Sequence, residues 1–123
     1  MNEIEEVLAE LEKREPIFHR LELGTTRADF ERMMNESFRE VGVSGRPCSR
    51  ELVLEELEKR NAHPVEDLWE KRGFECVEIA ADNDLLTYTL IRGPRITRRA
   101  TIWRRTTEGW KIAYHQGMLV AME

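Results

Sequence analysis

The spacing of apolar side chains divides the chain into two stretches of different period. In the first, NEIEEVLAELEKRE (2–15) sets Ile4, Val7, Leu8 and Leu11 at helical spacing, with Glu and Lys on the opposite face. Pro16, which lacks an amide hydrogen, ends or kinks that helix. Ile17, Phe18 and Leu21 suit a short helical continuation that Gly24 closes. Thr26 followed three residues later by Asp29 resembles a capping box and opens a helix carrying Phe30, Met33 and Met34 as far as Asn35. ESFREVGV (36–43) can alternate as a short strand, and SGRP (44–47) reads as a turn. Ser49 caps a third helix, RELVLEELEKR (50–60), with Leu52, Val53, Leu54 and Leu57 inward, and Asn61 and Pro64 stop it.

After Pro64 the period falls to two. Residues 74–81, 84–92, 96–107 and 110–121 are short runs rich in β-branched and aromatic side chains. Asp82-Asn83, Gly93-Pro94 and Glu108-Gly109 punctuate them as tight turns. Consecutive strands joined this way are antiparallel. The expected architecture is α+β, with helices first and then a four-stranded meander that they cover on one face. At 123 residues, without repeats or low-complexity tracts, the chain reads as one domain spanning 1–123.

Charge narrows the function classes. The formal net charge of −5 does not favour nucleic-acid binding. The one basic cluster, Arg92, Arg95, Arg98, Arg99, Arg104 and Arg105, reads as a solvated face on alternating strands. The first helix has too little basic character to lie on a membrane, and no apolar run approaches a membrane span. Cys48 and Cys76 lack metal or redox spacing, and His19, His63 and His115 are scattered. These features imply a cytoplasmic setting, free thiols, and folding without metal, cofactor or disulfide.

The order of elements and three motifs resemble the nuclear-transport-factor-2-like superfamily, also called SnoaL-like or ketosteroid-isomerase-like. Within it the chain is most similar to small bacterial domains of unassigned function. The motifs are FREVGVSGRPCSRE (38–51), VEIAADNDLLTYTL (77–90) and ATIWRRTTEGWKIAYHQG (100–117). The resemblance implies N-terminal helices packed on a curved, mainly antiparallel sheet that forms a cone with a pocket, commonly in a homodimer built through the outer face of the sheet. The superfamily holds isomerases, dehydratases, cyclases and non-enzymatic modules, so fold alone does not give function. One departure is Met118, where relatives often carry Thr after the last Gly of the third motif.

The candidate site follows from strand parity. In the last strand Trp110, Ile112, Tyr114, Gln116 and Met118 share one face, and Lys111, Ala113, His115, Gly117 and Leu119 share the other. The first set is larger and more apolar, which assigns it to the helix-covered face unless a bulge intervenes. Tyr114, Gln116, Trp110, Ile102 and Tyr88 are then expected around an apolar pocket suited to a small apolar or amphipathic ligand. Two registers of the hairpin remain open. A two-residue loop at Glu108-Gly109 sets Trp103 opposite Tyr114 and Thr101 opposite Gln116. A three-residue loop with a bulged Gly109 sets Trp103 opposite Ala113 and Thr101 opposite His115, and it is preferred because it places Arg105 beside Lys111.

Structural or interface roles are expected for His115, Trp103 and Thr101, with His115 at a dimer seam or bonded to Thr101. Trp103 and Leu119 are expected uncovered in a monomer. Glu40 is expected to pair with Arg46 and hold the 44–47 turn, although Glu40 and Glu78 are also the carboxylates available to a cofactor-free isomerase, dehydratase or hydrolase. A third possibility is a non-catalytic dimerisation module. No catalytic residue is assigned at this stage.

Overall fold

The computed structural model describes residues 3–16, 24–61 and 69–120. The expected continuation through Ile17, Phe18 and Leu21 lies outside the described residues, as do His19, His63 and Pro64. Helix α1 spans Glu3–Arg14, α2 Arg27–Met33 and α3 Arg50–Asn61. Strands β1 (Met34–Val41), β2 (Pro47–Ser49), β3 (Glu70–Ala80), β4 (Asn83–Arg92), β5 (Arg95–Thr106) and β6 (Gly109–Leu119) form one six-stranded sheet in the order β2-β1-β6-β5-β4-β3. The β3–β6 meander is antiparallel, while β1 returns alongside β6 in parallel. The sheet is therefore mixed, mainly antiparallel, and unclosed, with the helices on its concave face.

Local chemistry sets the helix starts. The Thr26 side chain accepts from the Asp29 amide at 3.2 Å, and an Asp29 carboxylate oxygen accepts from the Thr26 amide at 3.1 Å. Two of the amides that a helix start leaves without partners are thus satisfied reciprocally. Ser49 caps α3 by accepting from the Leu52 amide at 3.1 Å. β1 begins directly after α2, two residues before the strand expected at 36–43, so Met34 is a strand residue in the core.

Curvature comes from irregular pairing. Gly73, at φ 68°, is the extra residue that bends β3 between the pairs Arg72–Thr89 and Glu75–Thr87. The β5–β6 turn is Thr107-Glu108, with Thr106 opposite Gly109, so that Trp103 faces Ile112, one residue from the preferred register and two from the other. Beyond the Ala113 irregularity Thr101 faces His115, as the preferred register has it. The Thr106 hydroxyl fixes the turn, donating to the Gly109 carbonyl at 2.7 Å and accepting from the Glu108 amide at 3.1 Å.

The core lies between α1, α2, α3 and the concave face. It includes Leu11, Phe30, Met34, Phe38, Leu54, Leu57, Leu86, Trp103 and Ile112. Each fully buried Leu, Met, Phe or Ile contributes about 1.5–3 kcal/mol. Among the described residues no helix is long and apolar enough to cross a membrane.

The capping box carries a pH dependence. Hydrogen bonds from Thr26, from its amide and then its hydroxyl, with Arg32 adding a further donor, hold the Asp29 carboxyl down at about 2. A depressed carboxyl favours the folded state above its unfolded value, and this support is lost as pH falls toward about 2. Thr26→Ala should therefore lower stability by about 1 kcal/mol at neutral pH, with the deficit shrinking in acid. Urea unfolding at pH 7 and pH 2.5 checks this, and a deficit that grows in acid would contradict it.

Candidate functional site

The site is decided by one unpaired residue. From the turn, Arg105 pairs with Trp110, Arg104 with Lys111 and Trp103 with Ile112. The next pair is Ile102 with Tyr114, which leaves Ala113 as a bulge. Side chains alternate strictly along a strand, so one extra residue reverses the face of everything beyond it. Trp110 and Ile112 face inward, and so do His115 and Gly117. This corrects the expectation for Tyr114 and Gln116, and also for His115, which lines the concave cavity rather than the convex face. Tyr114 and Gln116 lie on the convex face, where the Tyr114 hydroxyl donates to Gln116 Oε1 at 2.8 Å. Ile102, opposite Tyr114, faces outward with it. Trp110 stays on the concave side, packed against the core beneath the Arg105 guanidinium, 4.6 Å from its ring centre.

Trp103 is corrected in the opposite sense. It is fully buried rather than exposed on the convex face. A buried indole N–H needs an acceptor, and Glu15, just past the end of α1, supplies one. Glu15 Oε2 accepts from Trp103 Nε1 at 3.2 Å, and Oε1 accepts from the Tyr88 hydroxyl, also at 3.2 Å. Glu15 is 1 % exposed. A carboxylate that deep is costly unless its lone pairs are engaged, and here each oxygen has a donor. Lys71 Nζ donates to the carbonyls of Glu12 and Glu15 at 3.1 and 3.0 Å and fastens the helix end to β3. Tyr88 also stacks on Phe74, with ring centres 4.6 Å apart.

The row across the sheet through His115 reads Cys76, Leu86, Thr101, His115, Glu40 and Cys48, each paired with the next. Pairing in register puts Glu40 beside His115, and Oε1 of the carboxylate lies 2.7 Å from Nδ1 of the ring. The expected ion pair between Glu40 and Arg46 does not form. Arg46 is exposed, and its carbonyl instead accepts from the Gly42 amide to close the turn. Thr101 lies opposite His115 without bonding to it, and its buried hydroxyl has no partner among the described residues. His115 Nε2 likewise makes no hydrogen bond among them. Both cysteines are free, and burial pushes the Cys76 thiol up, away from thiolate reactivity.

These groups open onto a cavity of about 150 Å³ between the sheet, α3 and the end of α1. Glu15, Glu40, Cys48, Leu57, Arg99 and His115 are among its lining. Six of its ten lining residues are Glu, Arg or His, namely Glu15, Glu40, Glu56, Arg60, Arg99 and His115, although apolar atoms still supply most of the lining surface. Arg99 follows Trp103 inward by alternation. Burial pulls its guanidinium down from the ordinary arginine range, while Tyr88, Glu40 and Glu15 oppose that effect. Sequence reasoning missed Glu15 and Arg99. Glu15 continues the buried stripe Val7, Leu11, Glu15 at i, i+4, i+8, so a carboxylate at a core position was its signal. No group of three or more His, Cys, Asp or Glu among the described residues could hold a metal ion.

No family model matches the chain, and no curated protein matches it. Solved structures do, at low identity. A nuclear-transport-factor-2-like protein from Cytophaga hutchinsonii superposes with a TM-score of 0.75 at 12 % identity, covering 98 % of this chain and 100 % of that one. An uncharacterised protein with a cystatin-like fold from Caulobacter vibrioides gives 0.73 at 14 %, covering 98 % and 92 %. A candidate ketosteroid isomerase from Parabacteroides distasonis gives 0.66 at 16 %, covering 97 % and 89 %. The chain has the fold of nuclear-transport-factor-2-like, cystatin-like proteins.

Removing the Glu15 carboxylate takes the acceptor from the buried Trp103 indole and one partner from the Tyr88 hydroxyl. Glu15→Ala should cost at least about 1–3 kcal/mol, the penalty for one stranded buried group. Indole fluorescence during chemical unfolding measures it. A cost below about 1 kcal/mol would show that the Trp103 and Tyr88 contacts contribute little.

Proposed function

We propose that the concave cavity is a ligand site at which His115 moves a proton on a small organic molecule without a cofactor. The observation that carries this reading is the 2.7 Å contact between His115 Nδ1 and Glu40, with Nε2 left unpartnered beside the cavity. A carboxylate that accepts from Nδ1–H fixes the ring tautomer and leaves the Nε2 lone pair as the basic site. α3 and the end of α1 shield part of the cavity from bulk water. Such a group can act as general base and then, once protonated, as general acid, which is the requirement of an isomerase or dehydratase. Positioned acid–base catalysis of this kind supplies roughly 10²–10⁴-fold. The chemistry is also in keeping with the description of the Parabacteroides relative, at the level of fold analogy.

A second copy of the chain is proposed to cover the convex face. Val77, Leu85, Ile102 and Tyr114 form one cross-strand row there, and Val77 and Met118 are 58 % and 59 % exposed. A one-layer sheet with this face bare leaves apolar surface in water. A module whose work is dimerisation alone would rest on this face and make no use of the His115–Glu40 pair.

The catalytic reading is tested by incubating the protein with simple ketones, aldehydes and carbonyl acids in deuterium oxide and following exchange of the hydrogens next to the carbonyl by NMR. At least one compound should exchange, and His115→Ala should slow it by about a hundredfold or more with the melting temperature preserved. Absence of exchange across the series, or exchange unchanged in His115→Ala, would overturn the assignment. For the convex face, sedimentation at micromolar concentration should give twice the chain mass, falling to one chain mass in Val77→Glu. A wild-type monomer would refute the dimer.

A further inference from the structure

We infer that the ligand of this cavity is a small carboxylate, held by Arg99. The inference rests on reading the cavity as a ligand site, and it adds the chemical class of what binds there. Arg99 projects inward from β5, between Thr97 and Thr101 on the same face. Its Nε donates to the Thr97 hydroxyl at 3.2 Å. A guanidinium has five N–H donors in a planar fork, and the four on the terminal nitrogens make no hydrogen bond or ion pair among the described residues. Arg99 is part-buried at the cavity, so these donors are open to a ligand that enters it.

Two of the three carboxylates that line the cavity are engaged elsewhere, and the third, Glu56, makes no ion pair with Arg99. Glu15 accepts from Trp103 and Tyr88, and Glu40 is held by His115. They act on Arg99 through space without closing an ion pair. Among the described residues no acceptor completes the fork, which leaves it available to a ligand. A carboxylate matches the spacing of two parallel N–H donors, which a single carbonyl oxygen cannot do.

The flank of the guanidinium is kept open by Gly117, its cross-strand partner. A Cβ at that position would lie 3.8 Å from Arg99 Cζ and 3.0 Å from Val43 Cγ2. Size sets a further limit. A cavity near 150 Å³ accommodates a molecule of roughly benzene size, about six heavy atoms. A carbonyl acid of three or four carbons fits that limit and the chemistry. Its carboxylate sits on Arg99, and His115 Nε2 takes a proton from the carbon beside the carbonyl. The C–H bond breaks, the N–H bond forms, and the electron pair moves into an enolate. Return of the proton to carbon or oxygen restores the base.

The test uses the full-length protein with acetate, pyruvate and acetoacetate, each compared with its uncharged amide, by calorimetry and ligand-observed NMR. At least one acid should bind at least about tenfold more tightly than its amide, a preference of about 1.4 kcal/mol. Arg99→Gln should remove that preference, Arg99→Lys should restore part of it, and Arg98→Gln, on the opposite face of β5, should leave it in place. Equal binding of acid and amide, or no binding of any acid at millimolar concentration, would overturn the inference, and neither result depends on how a variant folds. If the acids bind with this preference but their carbon-bound hydrogens do not exchange, the carboxylate assignment stands and the proton-transfer reading falls.

Discussion

A β-strand admits two faces and nothing between, so an unpaired residue is a switch in what the strand presents. Ala113 is that residue in β6. On the turn side of it, Trp110 and Ile112 belong to the core. On the far side, His115 and Gly117 take over the inward positions, and Tyr114 and Gln116 are carried to the outer surface. Without the bulge, the last strand would offer the cone a tyrosine and a glutamine. With it, the cone receives an imidazole directly in register with Glu40 on the parallel neighbour, and a glycine that leaves room for Arg99. Much of the polar interior follows from this local break in the ladder.

The second constraint is that Trp103 is too large to leave exposed and too polar to bury alone. Its indole N–H meets Glu15, which in turn takes the Tyr88 hydroxyl, and Lys71 secures the helix end that carries Glu15. The helix terminus is thus tied to β3, β4 and β5, and Glu15 itself lines the cavity. Buried polar networks of this kind are high-stakes. Fully satisfied they fix one arrangement, and loss of a member leaves the others stranded. The incompletely satisfied groups, Thr101 Oγ1, His115 Nε2 and the Arg99 fork, cluster on the same face, where strand alternation sets Arg99, Thr101 and Trp103 side by side.

Much of the architecture was legible in the sequence because it is written in short-range chemistry. Thr26 and Asp29 announce α2, Ser49 announces α3, and Gly93-Pro94 marks a turn that pairs Arg92 with Arg95. The facing of the last two strands was not legible, because a bulge at an alanine has no compositional mark. Parity counted from Trp110 was sound as far as Ile112 and failed one residue later. The same error turned Trp103 outward, while Arg99 was grouped with the solvated arginines on charge alone. Pairing of Glu40 with Arg46 was the short-range choice, whereas the observed partner, His115, is brought in by a parallel strand contact that local sequence does not reveal.

The contact between His115 and Glu40 is the point on which the account stands, and imidazole nitrogen NMR reads it directly. Long-range ¹H–¹⁵N spectra, recorded above the histidine titration, should show His115 protonated on Nδ1, with that proton slow to exchange and the signature lost in Glu40→Gln. A ring protonated on Nε2, exchanging freely with water and indifferent to Glu40→Gln, would place His115 outside the cone and contradict the account.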